Sequence, residues 1–146
     1  MKARILGCGT SSGVPRIGND WGSCDPAEPR NRRTRVSILV ESATTRILVD
    51  TSPDMREQLL AAHVAAVDAV IWTHDHADHC HGIDDLRQLF HAAGRPVVGY
   101  ARPDTLASLA SRFAYAFEGR GGYPATVEGR VLPDSVMIGD IAVAVI

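Results

Sequence analysis

The sequence has few cysteines, little net charge and no long hydrophobic run. Cys8, Cys24 and Cys80 are the only cysteines, widely spaced and without a C-x-x-C pair. An odd, scattered set of this kind argues against a disulfide scaffold and fits a reducing compartment. The formal net charge is -2. No global basic field is therefore present to draw the chain to nucleic acid or to an anionic membrane surface. No apolar run nears the roughly 18 residues that a membrane span needs. The apolar part of MKARILGCGTSSG is far too short for a secretory signal. The expectation is a cytoplasmic protein with no membrane partner. Internal repeats and low-complexity tracts are absent as well. What remains is 146 residues, 45% apolar and 22% charged, the composition of one ordinary globular domain.

Hydrophobic patterning divides the chain into alternating strands and helices. ARILG (3–7) reads as a first strand, followed by the Gly- and Ser-rich loop GCGTSSGVP. Residues 16–34 carry Gly, Pro, Asn and Asp throughout and read as irregular. RVSILVE (35–41) and TRILVD (45–50) read as a hairpin. A helix is expected from TSPD onward, with Ser52 as N-cap, Pro53 at the first helical position, and Met55, Leu59 and Ala62 on one face. AAVDAVIWT (65–73) is apolar without alternation, as in a strand buried on both faces. Further helices fit 82–93 and 103–117, a strand fits 96–100, and VMIGDIAVAVI (136–146) reads as a hairpin around Gly139-Asp140. The whole is an α/β layered domain. Its final apolar strand ends without a polar stop, an edge that invites aggregation. Two expectations follow: the 146 residues are the N-terminal part of something longer, or the last strand pairs with another chain, as in a homodimer.

Chemistry concentrates in WTHDHADHCHGIDD (72–85), which holds four histidines and four aspartates directly after the buried strand. In an extended segment residues i and i+2 point the same way, so His74 and His76 can face one metal ion. Asp78 and His79 follow as the chain turns toward a helix and can reach a second. Imidazole suits zinc, iron or manganese, and carboxylate oxygen keeps harder ions open. The cluster sits at the carboxyl end of a strand, where open α/β sheets bind ligands. Asp50 closes ILVD at an equivalent end; it is either a turn carboxylate or the acceptor that orients a ligating imidazole. His63 and His91 lie in helical patterns without partners and read as ordinary structural histidines. Asp75, Cys80 and His81 read as bystanders, with His81 on the rim. GCGTSSGVP is either a tight strand-to-loop connection or a loop whose glycines and Ser11 and Ser12 hydroxyls bring donors up to a phosphate. Arg30, Arg32, Arg33 and Arg35 in RNRRTR are either phosphate forks or a solvated face.

THDHADH resembles the H-x-H-x-D-H signature of the metallo-β-lactamase-fold hydrolases. GCGTSSGVP, RRTRVSILVE, ILVDTSPD and THDHADHCHGIDDLRQL together resemble the phosphodiesterase branch of that superfamily. That branch includes the phosphoribosyl 1,2-cyclic phosphate phosphodiesterases and, more distantly, nucleases of the ribonuclease Z type. The resemblance implies an αββα sandwich with two divalent ions, zinc or manganese. His74 and His76 would hold one ion, Asp78 and His79 the other. A bridging hydroxide would attack a phosphodiester, with Asp78 also orienting it, Asp50 behind the ligands, and Ser11, Ser12 and Arg33 near the substrate. It further implies a third histidine, a bridging aspartate and a late histidine. After His91 there is no histidine, and Asp104, Asp134 and Asp140 match no such motif. Each ion would thus find about half a shell in these residues. With Cys24 alone in DWGSCDPAEP, the extra structural zinc of some relatives is not expected. The expected substrate is a small cyclic phosphate or nucleotide-like ester. The alternatives are a ribonuclease Z-like nuclease on tRNA precursors, where nucleic acid would be the partner, and a non-catalytic metal- or nucleotide-binding module. Lactamase or thioesterase activity would follow from superfamily membership alone.

Overall fold

A computed structural model describes residues 1–145. Its centre is a mixed six-stranded sheet in the order β1-β2-β3-β4-β5-β6. β1 (Lys2–Gly7), β2 (Ser37–Glu41) and β3 (Arg46–Val49) form an antiparallel meander. β4 (Ala69–Ile71), β5 (Val97–Ala101) and β6 (Val127–Val131) continue from β3 in parallel. Parallel neighbours require crossover connections, and helices provide them. α1 (Met55–Ala62) links β3 to β4; α2 (Ala77–Cys80) and α3 (Leu86–Ala93) link β4 to β5; α4 (Pro103–Arg112) and α5 (Ala114–Glu118) link β5 to β6. A separate hairpin, β7 (Ser135–Ile138) and β8 (Ile141–Ala144), turns at Gly139-Asp140. Ile146, placed by the sequence at the end of that hairpin, lies outside the described residues.

Alternation along the strands sends side chains to two cores. Leu39, Leu48, Val70 and Val97 face the helices and meet Met55, Leu59, Leu86, Leu89 and Leu109. Ile47, Ala69, Ile71 and Tyr100 face the other way and meet Leu132, Ile138 and Ile141. The three residues of β4 are all buried, one side chain in three toward the helices and the rest toward the hairpin. A helix layer thus covers one face of the sheet and the β7–β8 hairpin the other. Among the described residues no helix is long and apolar enough to cross a membrane.

Several elements depart from the sequence expectation. α1 begins at Met55, not at Pro53. Ser52 does not cap it: its Oγ accepts from the Asp54 N–H at 3.1 Å and meets Gln58 Oε1 at 3.1 Å. Asp54, the residue at the helix start, turns its carboxylate to Arg35 instead. The single helix expected over 82–93 is a 3-10 turn, Ile83–Asp85, followed by α3. The helix expected over 103–117 breaks at Phe113, where φ is -120°. β6 was not anticipated, because four of its five residues are exposed and its sequence VEGRV carries no clear apolar period.

Candidate metal centre

The histidine loop leaves β4 at its carboxyl end, between the ends of β3 and β5. Three features fix it from below. Trp72 is buried and its indole N–H donates to Thr51 Oγ1 at 2.9 Å. Thr51 Oγ1 donates to the Cys80 carbonyl at 3.3 Å, and Gly82 N–H donates to the Thr51 carbonyl at 2.9 Å. A Cβ at Gly82 would lie 2.1 Å from the Ser52 carbonyl oxygen, so only glycine permits this approach.

Asp50 organises the donors above. It is 3% exposed and adopts φ 62°, a left-handed conformation uncommon for a residue with a side chain. Its carboxylate accepts from the Thr73 N–H at 2.8 Å and from Thr73 Oγ1 at 3.0 and 2.8 Å. It also accepts from Nδ1 of His79 at 2.7 Å. A carboxylate only accepts and a threonine hydroxyl has one proton. The Thr73 hydroxyl therefore gives its proton to Asp50 and takes one from His74 Nδ1, which lies 3.0 Å away. Both His74 and His79 consequently carry a proton on Nδ1, which leaves Nε2 as the nitrogen turned away from Asp50 and Thr73.

The rings lie together: His74 is 4.7 Å from His76 and 3.9 Å from His79, centroid to centroid. Asp78 Oδ2 stands 3.4 Å from His79 Nε2. The donors are imidazole nitrogen and carboxylate oxygen, and buried Asp50 fixes the ring of His79, so the residues fit a divalent ion in kind. They do not complete one: among the described residues no three His, Cys, Asp or Glu side chains are disposed to hold a single ion. His63, at the left-handed C-terminus of α1, and His91, edge-on to Phe90 on α3, stand apart from the cluster.

Asp75, Cys80 and His81 are engaged rather than idle. Asp75 Oδ2 accepts from Ser108 Oγ of α4, and this bond holds the Asp75 carboxyl below the usual carboxylate range. Arg112, also on α4, donates to the Asp75 carbonyl and to His81. Cys80 is buried, and burial pushes its thiol up. Thr73, Ser108 and Arg112 went unnoticed in the sequence. The hydroxyl next to the first histidine was the one local signal; Ser108 and Arg112 lie over 30 residues from Asp75 and carried none.

Ser11, Ser12 and Arg33 do not touch the histidines. They line a groove of about 860 Å³ with Arg16, Arg32, Arg35 and Asp54. The loop and the arginine segment are stitched by backbone bonds, Gly9 N–H to Thr34 O at 2.7 Å and a reciprocal pair between Val14 and Arg33 at 2.9 Å. Arg16 is paired with Asp20, and Arg35 with Asp54. The Arg35 guanidinium holds the Asp54 carboxyl below the usual range and also feels the charge of Asp78. Arg32 stacks over Trp21 at 5.3 Å, and Arg33 donates to Cys8 Sγ at 2.9 Å. Neither has a carboxylate partner among the described residues.

A mixed sheet with helical crossovers on one face, and a histidine–aspartate loop at the carboxyl end of its central strand, defines an α/β scaffold with its candidate ligand site at that end. Residues 45–146 match the family described as the beta-lactamase superfamily domain, and the chain belongs to that family. Its fold is the metallo-β-lactamase fold, as expected from the sequence. A crystal structure of a diphosphatase from the PhnP family superposes with TM-score 0.83 and 35% identity, covering 96% of this chain and 54% of that one. Zinc-bound PqqB from Methylobacterium extorquens superposes with TM-score 0.72 at 24% identity, over 94% of this chain and 48% of that one. An octanoyltransferase from Porphyromonas gingivalis is 41% identical over 128 residues, 86% of this chain and 25% of that protein. The chain therefore spans about half the length of the similar solved structures and a quarter of that relative.

Proposed function

We propose that the protein is a metal-dependent hydrolase, and specifically a phosphodiesterase acting on a small cyclic phosphate or nucleotide-like ester. The row His79–Asp50–Thr73–His74 carries this reading, because it aims two imidazole Nε2 atoms outward beside His76 and Asp78. In this reading His74 and His76 hold one divalent ion, zinc or manganese, and Asp78 and His79 hold a second. When bound, such ions supply water activation and offset the charge that grows on the phosphoryl group. Asp50 fixes the tautomer and direction of both histidines, and Asp78 orients the attacking water. The groove of Ser11, Ser12 and Arg33 takes the anionic remainder of the substrate, with the carboxylate-free forks of Arg32 and Arg33 as its cations.

The PhnP-family diphosphatase supports a phosphoryl substrate. The octanoyltransferase raises acyl transfer, but three quarters of that protein lies outside the match. Cys80, the cysteine within the histidine loop, is buried with its thiol pushed up, which disfavours thiolate chemistry there.

The test is a substrate panel on the full-length protein with zinc or manganese: bis-(p-nitrophenyl) phosphate, a cyclic nucleotide, a diphosphate ester, a tRNA precursor and an octanoyl thioester. The reading predicts turnover of the small phosphate esters, lost in His76→Ala. Cleavage of the tRNA precursor alone would favour a nuclease. Turnover of the thioester alone, or of nothing with metal bound, would sink the phosphodiesterase.

A further inference from the structure

We infer that Arg112 is the positioning residue of the histidine loop and selects which of its imidazoles can meet a metal ion. The inference rests on the metal-centre reading above. Ser108 and Arg112 lie one turn apart on α4, and both reach Asp75, the residue between His74 and His76. Ser108 takes the Asp75 carboxylate. Arg112 Nη1 takes the Asp75 carbonyl and lies 3.6 Å from Oδ2. Cys80 Sγ donates to that same carbonyl at 3.3 Å. The middle of the His-x-His segment is therefore gripped by side chain and backbone together, and the two flanking imidazoles are held with it.

The second nitrogen of the same guanidinium does something different. Arg112 Nη2 lies 3.0 Å from Nε2 of His81. A guanidinium has only donors, so Nε2 of His81 is the acceptor and its lone pair is taken. Phe113 supports both partners: the Arg112 guanidinium lies 5.4 Å over its ring and His81 packs edge-on at 5.8 Å. The loop thus holds its imidazoles in two opposite senses. His74 and His79 have Nδ1 engaged by Thr73 and Asp50; His81 has Nε2 engaged by Arg112. An ion arriving at Nε2 atoms can therefore meet His74 or His79, and does not find the Nε2 of His81 free. One arginine thereby keeps a fourth imidazole from competing in a fourteen-residue stretch.

The test uses the full-length protein and two readouts besides turnover. In the metal-free wild type, nitrogen-15 spectra of the imidazoles should show His81 protonated at Nδ1 and bare at Nε2. Cobalt(II) titration should then give a visible spectrum that Arg112→Met alters, with affinity lowered about 10–100-fold, as for other residues that orient ligands. Arg112→Lys, which can refill one of the two contacts, should recover part of that affinity. Arg112→Met with His81→Ala should bring the spectrum back toward wild type. Wild-type cobalt affinity and spectrum in Arg112→Met, or a proton on His81 Nε2 in the wild type, would overturn the inference. Because the His81 readout needs neither a variant nor a metal, it stands even where Arg112→Met does not fold. Failure of the wild type to take up cobalt would instead bring down the metal centre, and the selection with it, while the His81 proton separately reports the arginine contact.

Discussion

Asp50 and His79 face each other at 2.7 Å, a buried carboxylate accepting the Nδ1 proton of an imidazole whose other nitrogen lies 3.4 Å from Asp78. This pair links the end of β3 to the loop after β4, and it is the point at which fold and chemistry meet. Asp50→Asn keeps the left-handed backbone, which asparagine tolerates. Its amide cannot accept from Thr73 and His79 together. Zinc affinity should fall about 10–100-fold by calorimetry. Stability should fall by roughly 1–3 kcal/mol, because buried donors lose an acceptor. Unchanged zinc binding would remove Asp50 from the account.

The Arg35–Asp54 pair gives a pH dependence with a definite sign. Arg35 lowers the Asp54 carboxyl in the folded state. A depressed carboxyl stabilises above its unfolded value, about 3.9, and the contribution is lost as pH falls through the folded value. In urea unfolding, wild type should exceed Asp54→Asn by about 1 kcal/mol at neutral pH. That difference should close as pH drops below about 4. A gap that widens on acidification would contradict the assignment.

Gly99 on β5 leaves room for the Trp72 ring, which carries the histidine loop. A Cβ at 99 would sit 2.3 Å from the ring. Gly99→Ala should cost roughly 1–3 kcal/mol through overpacking and change tryptophan emission. An unaltered melting curve would show that Trp72 can move freely.

The arginine groove predicts a split in kinetics. Replacing Arg32 and Arg33 together by alanine should raise KM for an anionic ester roughly tenfold, with kcat little changed, since the groove binds away from the reacting atoms. Loss of kcat at constant KM would place these arginines at the chemistry.

Much of this architecture was legible in the sequence because its signals are local. A buried run without alternation announced β4, and ILVE and ILVD announced the antiparallel pair before it. The i, i+2 spacing of His74 and His76 brought their rings to 4.7 Å. What was not legible was settled by distant partners. Ser52 looks like an N-cap until Gln58 engages its hydroxyl and Arg35 draws the next carboxylate away. β6 has no apolar period because only Val127 is buried, so its place depends on pairing with β5. Asp75 and His81 look idle in a one-dimensional reading, because the groups that employ them come from α4.

The most direct measurement is metal uptake and phosphodiester turnover in one preparation of the full-length protein. The wild type, stripped and then titrated with zinc or manganese, should bind two ions per chain and hydrolyse bis-(p-nitrophenyl) phosphate in proportion to loading. His76→Ala should lose high-affinity uptake of one ion and lose turnover with it. Equal turnover by stripped His76→Ala and by loaded wild type would contradict a metal-dependent hydrolase built on this loop.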